Sequence, residues 1–283
     1  MKIGFIDHYL DEWHATNFPA LIRHCAGGER FTVALAFEET TPPGKKAGKT
    51  WCREQSVPAA TSIEEVVDTC DALIVFAPDN PETHERLADL PLRSGKPVFI
   101  DKPFAPSLAA AERMTRLAAE YGTPLMTSSS LRFTPAWSEG LARTLGGRRA
   151  RFASLRGPGC YDLYAVHQLE LLVMALGPGA RRALRTGDPS ADLLLIDYAD
   201  GRHGLINLIA SHEFAASVAG ANGELLTLTK FDGYFEALLP ALLSFFATRR
   251  SPVPPEETRE IFALQDAGRL AAASPGVWVP VST

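Results

Sequence analysis

Three stretches of this chain carry residues able to do chemistry. In the first, Val98-Phe99-Ile100-Asp101-Lys102-Pro103, an apolar strand runs straight into a lysine and a proline. Open α/β sheets bind ligands just past the carboxyl ends of their strands, so Lys102 stands where an amine can reach one. A partly desolvated lysine serves as acid, base or nucleophile; the alternative is an ordinary loop lysine. In the second, His167 sits in an apolar helical pattern with Val166, Leu169, Leu171 and Val173. It is either a general acid/base or a packed core histidine. Tyr164 and Glu170, three residues away on either side, share its face, and Tyr164 could relay a proton or simply pack. The third is Asp7-His8-Tyr9-Leu10-Asp11-Glu12-Trp13-His14, a dense polar and aromatic run after the first apolar strand. It lines a pocket, or it is a surface turn that caps the next helix. His8, Asp11 and His14 match no metal-ligand spacing.

These residues need elements to position them. Over residues 1–125 short apolar runs alternate with helical patterns. Strands are expected at 3–6, 31–37, 72–76, 98–100 and 125–128. Helices are expected near Pro19–Cys25 with Asn17 as its cap, at Ser62–Cys70 behind a Ser62/Glu65 capping box, at 81–90 and at 107–121. Alternation of this kind implies a parallel sheet with right-handed crossovers. Residues 38–50, rich in Pro, Gly and Lys, are expected to form a flexible loop. From residue 126 the pattern changes to a helix at 161–176, strands at 193–198 and 204–209 around Asp200-Gly201, a strand at 224–229 and a terminal helix at 255–273. Asp-Gly between apolar runs signals a hairpin. The fold class expected is therefore an α/β Rossmann-like parallel-sheet domain, residues 1–125, followed by an α+β domain with an open-faced, mostly antiparallel sheet, residues 126–283.

Composition narrows the function classes. With 46% apolar and 22% charged residues the chain is of globular type. Net charge is −5 and no basic run exceeds two residues, which argues against nucleic acid as a partner. No apolar stretch approaches the ~20 residues of a membrane span. Asp7 interrupts the apolar start, and the four cysteines show no CxxC spacing, so a cytoplasmic protein with reduced thiols and no metal is expected. Gly44-Lys45-Lys46-Ala47-Gly48-Lys49-Thr50 only superficially suggests a P-loop, because Pro43 holds the first glycine position and no strand directly precedes it.

The order of these segments resembles the Gfo/Idh/MocA oxidoreductases, named for glucose–fructose oxidoreductase, inositol dehydrogenase and MocA. The resemblance rests on Asp71–Pro78, His84, the Ser94–Pro103 "GK-strand-EKP" segment, Arg132-Phe133 with Pro135, the helix bearing His167, and the tail 252–279. It implies hydride transfer between NAD or NADP and a sugar, cyclitol or related polyol, with Lys102 and His167 in proton transfer. It further implies a cofactor contacted by Asp7, Tyr9, Glu38, Pro78 and His84, and a homo-oligomer formed through the second-domain sheet. A lyase, epimerase or dehydratase without cofactor, and a non-catalytic ligand binder, are the alternatives on the same scaffold.

The chain departs from the family pattern at its first turn. The glycines of G-x-G-x-x-G/A are replaced by Asp7, Tyr9 and Glu12. Those glycines permit a tight turn and let backbone approach a pyrophosphate. Side chains and carboxylates there disfavour the usual phosphate mode. The acid that should hold the adenine ribose falls at Phe37, with Glu38 one residue later; the other reading makes Glu38 and Glu39 solvated loop charges. The helix acid four before the histidine is Leu163; Asp162 is five before, about 140° round the helix from His167.

Overall fold

The computed structural model describes every residue except Pro189 and Thr283. The chain divides into two compact units, Met1–Ser128 with Leu238–Val253, and Ser129–Ala237 with Pro254–Thr283.

In the first unit five strands form one sheet: β1 (Lys2–Asp7), β2 (Thr32–Glu38), β3 (Ala72–Val75), β4 (Val98–Ile100) and β5 (Leu125–Met126). Their order is β2-β1-β3-β4-β5 and every pair is parallel. β3 and β4 are buried along their whole length, as continuous apolar strands covered on both faces must be. The helices are α1 (Trp13–His24), α2 (Gly48–Gln55), α3 (Ile63–Thr69), α4 (His84–Leu87), α5 (Asp89–Arg93) and α6 (Leu108–Glu120). α3 presses on β1 over Gly4, where a Cβ would lie 2.3 Å from Val66 Cγ1. The strand order reverses at β1, so the carboxyl ends of β1 and β3 flank the switch point where such sheets bind ligands.

The second unit holds α7 (Pro135–Leu145), β6 (Phe152–Gly157), α8 (Tyr161–Leu176), β7 (Ala180–Asp188), β8 (Ala191–Tyr198), β9 (His203–Leu208), β10 (Ala215–Ala219) and β11 (Leu225–Leu228). α9 (Tyr234–Thr248) starts in this unit, and its residues from Leu238 onward belong to the first. α10 (Pro255–Ala272) and β12 (Trp278–Pro280) close the chain. The seven strands run β11-β10-β6-β9-β8-β7-β12, antiparallel except for β6 beside β9. Alternate residues such as Leu194, Ile196 and Ile206 are buried, while Phe152, Leu195 and Leu225 stand exposed on the surface.

The fold class is as the sequence implies, and the Asp200-Gly201 hairpin joins β8 to β9 with Gly201 at φ +81°. Ser62 caps α3 by accepting from the Glu65 amide, although the Glu65 carboxylate turns to Thr61. Three expectations are corrected. α1 begins at Trp13, not near Pro19, because Glu12 caps it; Asn17 lies inside, donating to the Trp13 carbonyl at 2.7 Å. The helix expected at 81–90 is a 3-10 turn at Pro81–Thr83 followed by α4 and α5. Pro91 has no N–H for the Leu87 carbonyl, so the helical ladder breaks at Ala88. The segment 38–50 is not a free loop, since its Lys46 amide donates to Asp11 Oδ2 at 2.9 Å and its Lys45 amine to the Asp11 carbonyl at 3.0 Å.

Candidate functional site

The first turn folds around its own carboxylates. Glu12 takes the third glycine position and caps α1, its carboxylate accepting from the His14 amide at 2.7 Å and from the Ala15 amide. Asp7, the last residue of β1, is fully buried. One carboxylate oxygen accepts from the Tyr9 amide at 3.3 Å; the other, Oδ2, has no hydrogen-bond partner. Burial first, then the Glu12 charge, raises its pKa well above the carboxylate range, so Asp7 favours the neutral acid. The His14 ring lies 3.3 Å from a Glu12 oxygen and 3.2 Å from an Asp101 oxygen. Burial pushes the ring's pKa down most strongly, yet Asp101 and Glu12 together outweigh it and the net shift is upward. The turn thus brings two carboxylates to a histidine whose pKa they raise, beside a buried Asp7.

Lys102 follows β4 at the same edge of the sheet and is half-buried. Its amide donates to Asp101 Oδ1 at 2.8 Å, and its charge is near enough to lower the pKa of His14. The Lys102–Pro103 peptide is cis.

The other residues expected around a cofactor are already engaged. Glu38 is not a solvated loop charge, for its carboxylate accepts from the Leu10 amide at 3.0 Å, the Gly48 amide at 2.7 Å and the Thr41 hydroxyl at 2.6 Å. Glu39 likewise pairs with His8 at 2.8 Å and with Arg86. Tyr9 lies under the Lys45 amine, 4.8 Å from its ring centre; burial and the nearby Asp79 raise its hydroxyl pKa. Pro78 is buried after Ala77, whose φ of +79° turns the chain sharply beyond β3. His84 is fully buried, with one ring nitrogen on the Phe104 carbonyl at 3.1 Å and the other on the Phe76 carbonyl. Burial lowers its pKa, and the ring ties two loops together.

In the second unit His167 is half-buried on α8 and shares a 2.7 Å hydrogen bond through Nδ1 with Ser129. That bond orients the ring. Tyr164, exposed, places its ring centre 5.6 Å from that of His167, and Phe214 flanks the imidazole at 5.7 Å. Gly159 has φ +84°, and a Cβ there would meet the Tyr164 ring at 2.2 Å, so glycine makes room for Tyr164. Asp162 turns away to Arg269 at 2.7 Å. One turn further along α8, Glu170 meets the buried Arg132 guanidinium at 3.1 Å, and Glu257 of α10 takes its other side. Burial opposes the Arg132 charge, but the two carboxylates prevail and raise its pKa.

Sequence reasoning offered a turn that caps the next helix without naming Glu12 as the cap, and it missed Ser129 as the partner of His167 and the Arg132–Glu170–Glu257 bridge. A signal existed for the first, because an acid three residues before Ala15 at a strand-to-helix turn is a cap pattern. The other two join residues 38 and 125 positions apart and have no local signature. Among the described residues no three His, Cys, Asp or Glu side chains are arranged to hold a metal ion. No helix of the described residues is long and apolar enough to cross a membrane.

Residues 21–129 match the family model GFO_IDH_MocA, described as "Oxidoreductase family, NAD-binding Rossmann fold". Over these residues the first unit is similar to the Rossmann domain of the Gfo/Idh/MocA oxidoreductases. The match starts beyond the turn at Asp7–Glu12 and includes the strand that leads to Lys102. Among curated proteins, YceM of Salmonella typhimurium is 32% identical over 125 residues, 44% of this chain and 38% of its own length. Myo-inositol dehydrogenase Hyg17 of Streptomyces leeuwenhoekii is 33% identical over 102 residues, 36% of this chain and 31% of its own. The chain thus aligns with well under half the length of either relative. The full two-unit fold is shared with scyllo-inositol dehydrogenase of Lactobacillus casei, solved with NAD(H) and scyllo-inositol, at a TM-score of 0.80 over 100% of this chain and 99% of that one. Sequence identity there is 12%, so this likeness concerns architecture. A Rossmann domain ordinarily seats pyrophosphate on the glycine turn and the helix N-terminus after its first strand. In this chain that turn does not fit the group in the usual way, because the amides that would meet it already meet Glu12.

Proposed function

We propose that this chain is an oxidoreductase of the Gfo/Idh/MocA type acting on a sugar, a cyclitol or a related polyol. Lys102 and His167 exchange the proton of the hydroxyl at the reacting carbon, and Tyr164 relays or donates one. The observation that carries this reading is the position of Lys102, half-buried directly beyond β4 in the segment that matches the oxidoreductase family. NAD or NADP, when bound, would accept or return the hydride. The chain's own part is acid/base work: the Lys102 charge acts on His14 at the same edge of the sheet, and Ser129 orients the His167 ring. The test is turnover of a polyol panel, followed by nicotinamide absorbance. Activity that survives Lys102→Met and His167→Ala unchanged overturns the assignment.

A second reading, a lyase, epimerase or dehydratase that works without a dinucleotide, is favoured by the engagement of Glu12 and Glu38. It expects deuterium from solvent in the recovered substrate with no nicotinamide present. We further propose a homo-oligomer built on the open face of the seven-stranded sheet, supported by exposed Phe152 (39%), Leu195 (38%) and Leu225 (70%). Leu195→Arg is expected to shift sedimentation toward the monomer; an unchanged oligomer sinks this proposal.

A further inference from the structure

We infer that Glu12 is a resident anion in the pyrophosphate seat of the Rossmann unit, and that it limits dinucleotide binding to this chain. The inference rests on the fold and the turn geometry and bears on the choice between the two readings above. Four observations converge on it. The N-terminal amides of α1, at His14 and Ala15, are donated to the Glu12 carboxylate. A helix N-terminus has few such unpaired amides to offer an anion, so an internal carboxylate and a phosphate compete for the same donors. Second, Tyr9 stands where a glycine would let backbone approach the phosphates, and Lys45 packs over its ring at 4.8 Å.

Third, the acid nearest the usual ribose position is spent on the turn itself. Glu38 binds the Leu10 and Gly48 amides, and a Cβ on Gly48 would come within 2.8 Å of the Glu38 side chain. Fourth, the turn already holds two carboxylates, Glu12 and Asp101, at 3.3 and 3.2 Å from the His14 ring. Two further phosphate charges would meet carboxylates in a partly desolvated place, which is costly unless they are neutralised.

The experiment uses the full chain freed of copurified nucleotide. NADH, ADP-ribose and adenosine are titrated into wild type, Glu12→Ser and Glu12→Gln by fluorescence and calorimetry. Wild type is expected to bind NADH and ADP-ribose no more tightly than adenosine, which has no phosphate. Serine is itself a good cap and leaves the seat uncharged. Glu12→Ser should therefore tighten NADH and ADP-ribose by roughly tenfold, lose that gain as salt rises, and leave adenosine unchanged. Should Glu12→Ser fail to fold, Glu12→Gln keeps the shape without the charge and should move in the same direction. Wild type that binds ADP-ribose tenfold or more tighter than adenosine overturns the inference. So do folded Glu12 variants whose affinity stays level or falls. Failure of the oxidoreductase reading shows elsewhere, as turnover indifferent to Lys102→Met, and leaves these affinities as they are.

Discussion

Two buried polar clusters, one in each unit, solve the same problem in different ways. Around Arg132 the guanidinium is matched on both sides by Glu170 and Glu257. Around His14 two carboxylates, Glu12 and Asp101, meet one ring, and both act on Asp7, which is fully buried with an oxygen that lacks a hydrogen-bond partner. A matched buried ion pair mainly locks geometry, here Arg132 of the 3-10 turn Ser130–Phe133 to α8 and α10. A surplus of buried acid shifts proton affinities, and such shifts gather at sites that handle charge. The first cluster is thus built as scaffolding, and the second, on the function proposed above, lies where chemistry would be done.

The sharpest way to break this contrast is to remove Arg132. Arg132→Met strands two carboxylates and is expected to cost about 3–5 kcal/mol, read as a drop in the denaturant midpoint. A loss much below that would mean the pair is not the lock described. Next in size, Lys102→Met should reduce turnover by about two orders of magnitude or more with little change in melting temperature. If the two move together, Lys102 is structural. Ser129→Ala should cost about 1 kcal/mol, seen in kcat rather than KM, because the ring it orients stays in place but loses its bearing; an equal change in both constants speaks against a positioning role.

The smallest effect is also the most diagnostic. The pKa of Asp7 is raised by burial in the folded state. Its favourable contribution is therefore present below the ordinary carboxylate range and is lost as pH climbs through the raised value. Asp7→Asn mimics the neutral acid, so it should melt higher than wild type at neutral pH and show a flatter pH profile across that window. A variant less stable than wild type at neutral pH would mean the carboxylate, not the acid, belongs there.

Much of the architecture was legible locally. The apolar runs at Ile3–Ile6, Ala72–Val75 and Val98–Ile100 are continuous because both faces of the parallel sheet are covered. The strand β7 was not legible, because Arg181, Arg182 and Arg185 read as a polar loop until their cross-strand partners Asp197 and Asp192 are seen. Helix α1 was misread for a related reason. Pro19 looks like a helix start, and only the capping carboxylate of Glu12 shows that the helix began six residues earlier.

The sequence alone determined the alternation of strands and helices over residues 1–125, the strand that ends in Lys102, and the loss of every glycine from the first turn. These are properties of neighbours along the chain, where periodicity and side-chain size act directly. Only the tertiary structure decided what the replacements do. Whether Glu12 faced solvent, a ligand or its own helix depended on backbone direction at one turn. Whether His167 met a serine, and Arg132 two glutamates, depended on segments far apart in the chain being packed side by side. Burial then raised the proton affinity of Asp7, and the carboxylates of Asp101 and Glu12 raised that of His14 against burial; both effects exist only once the chain has folded.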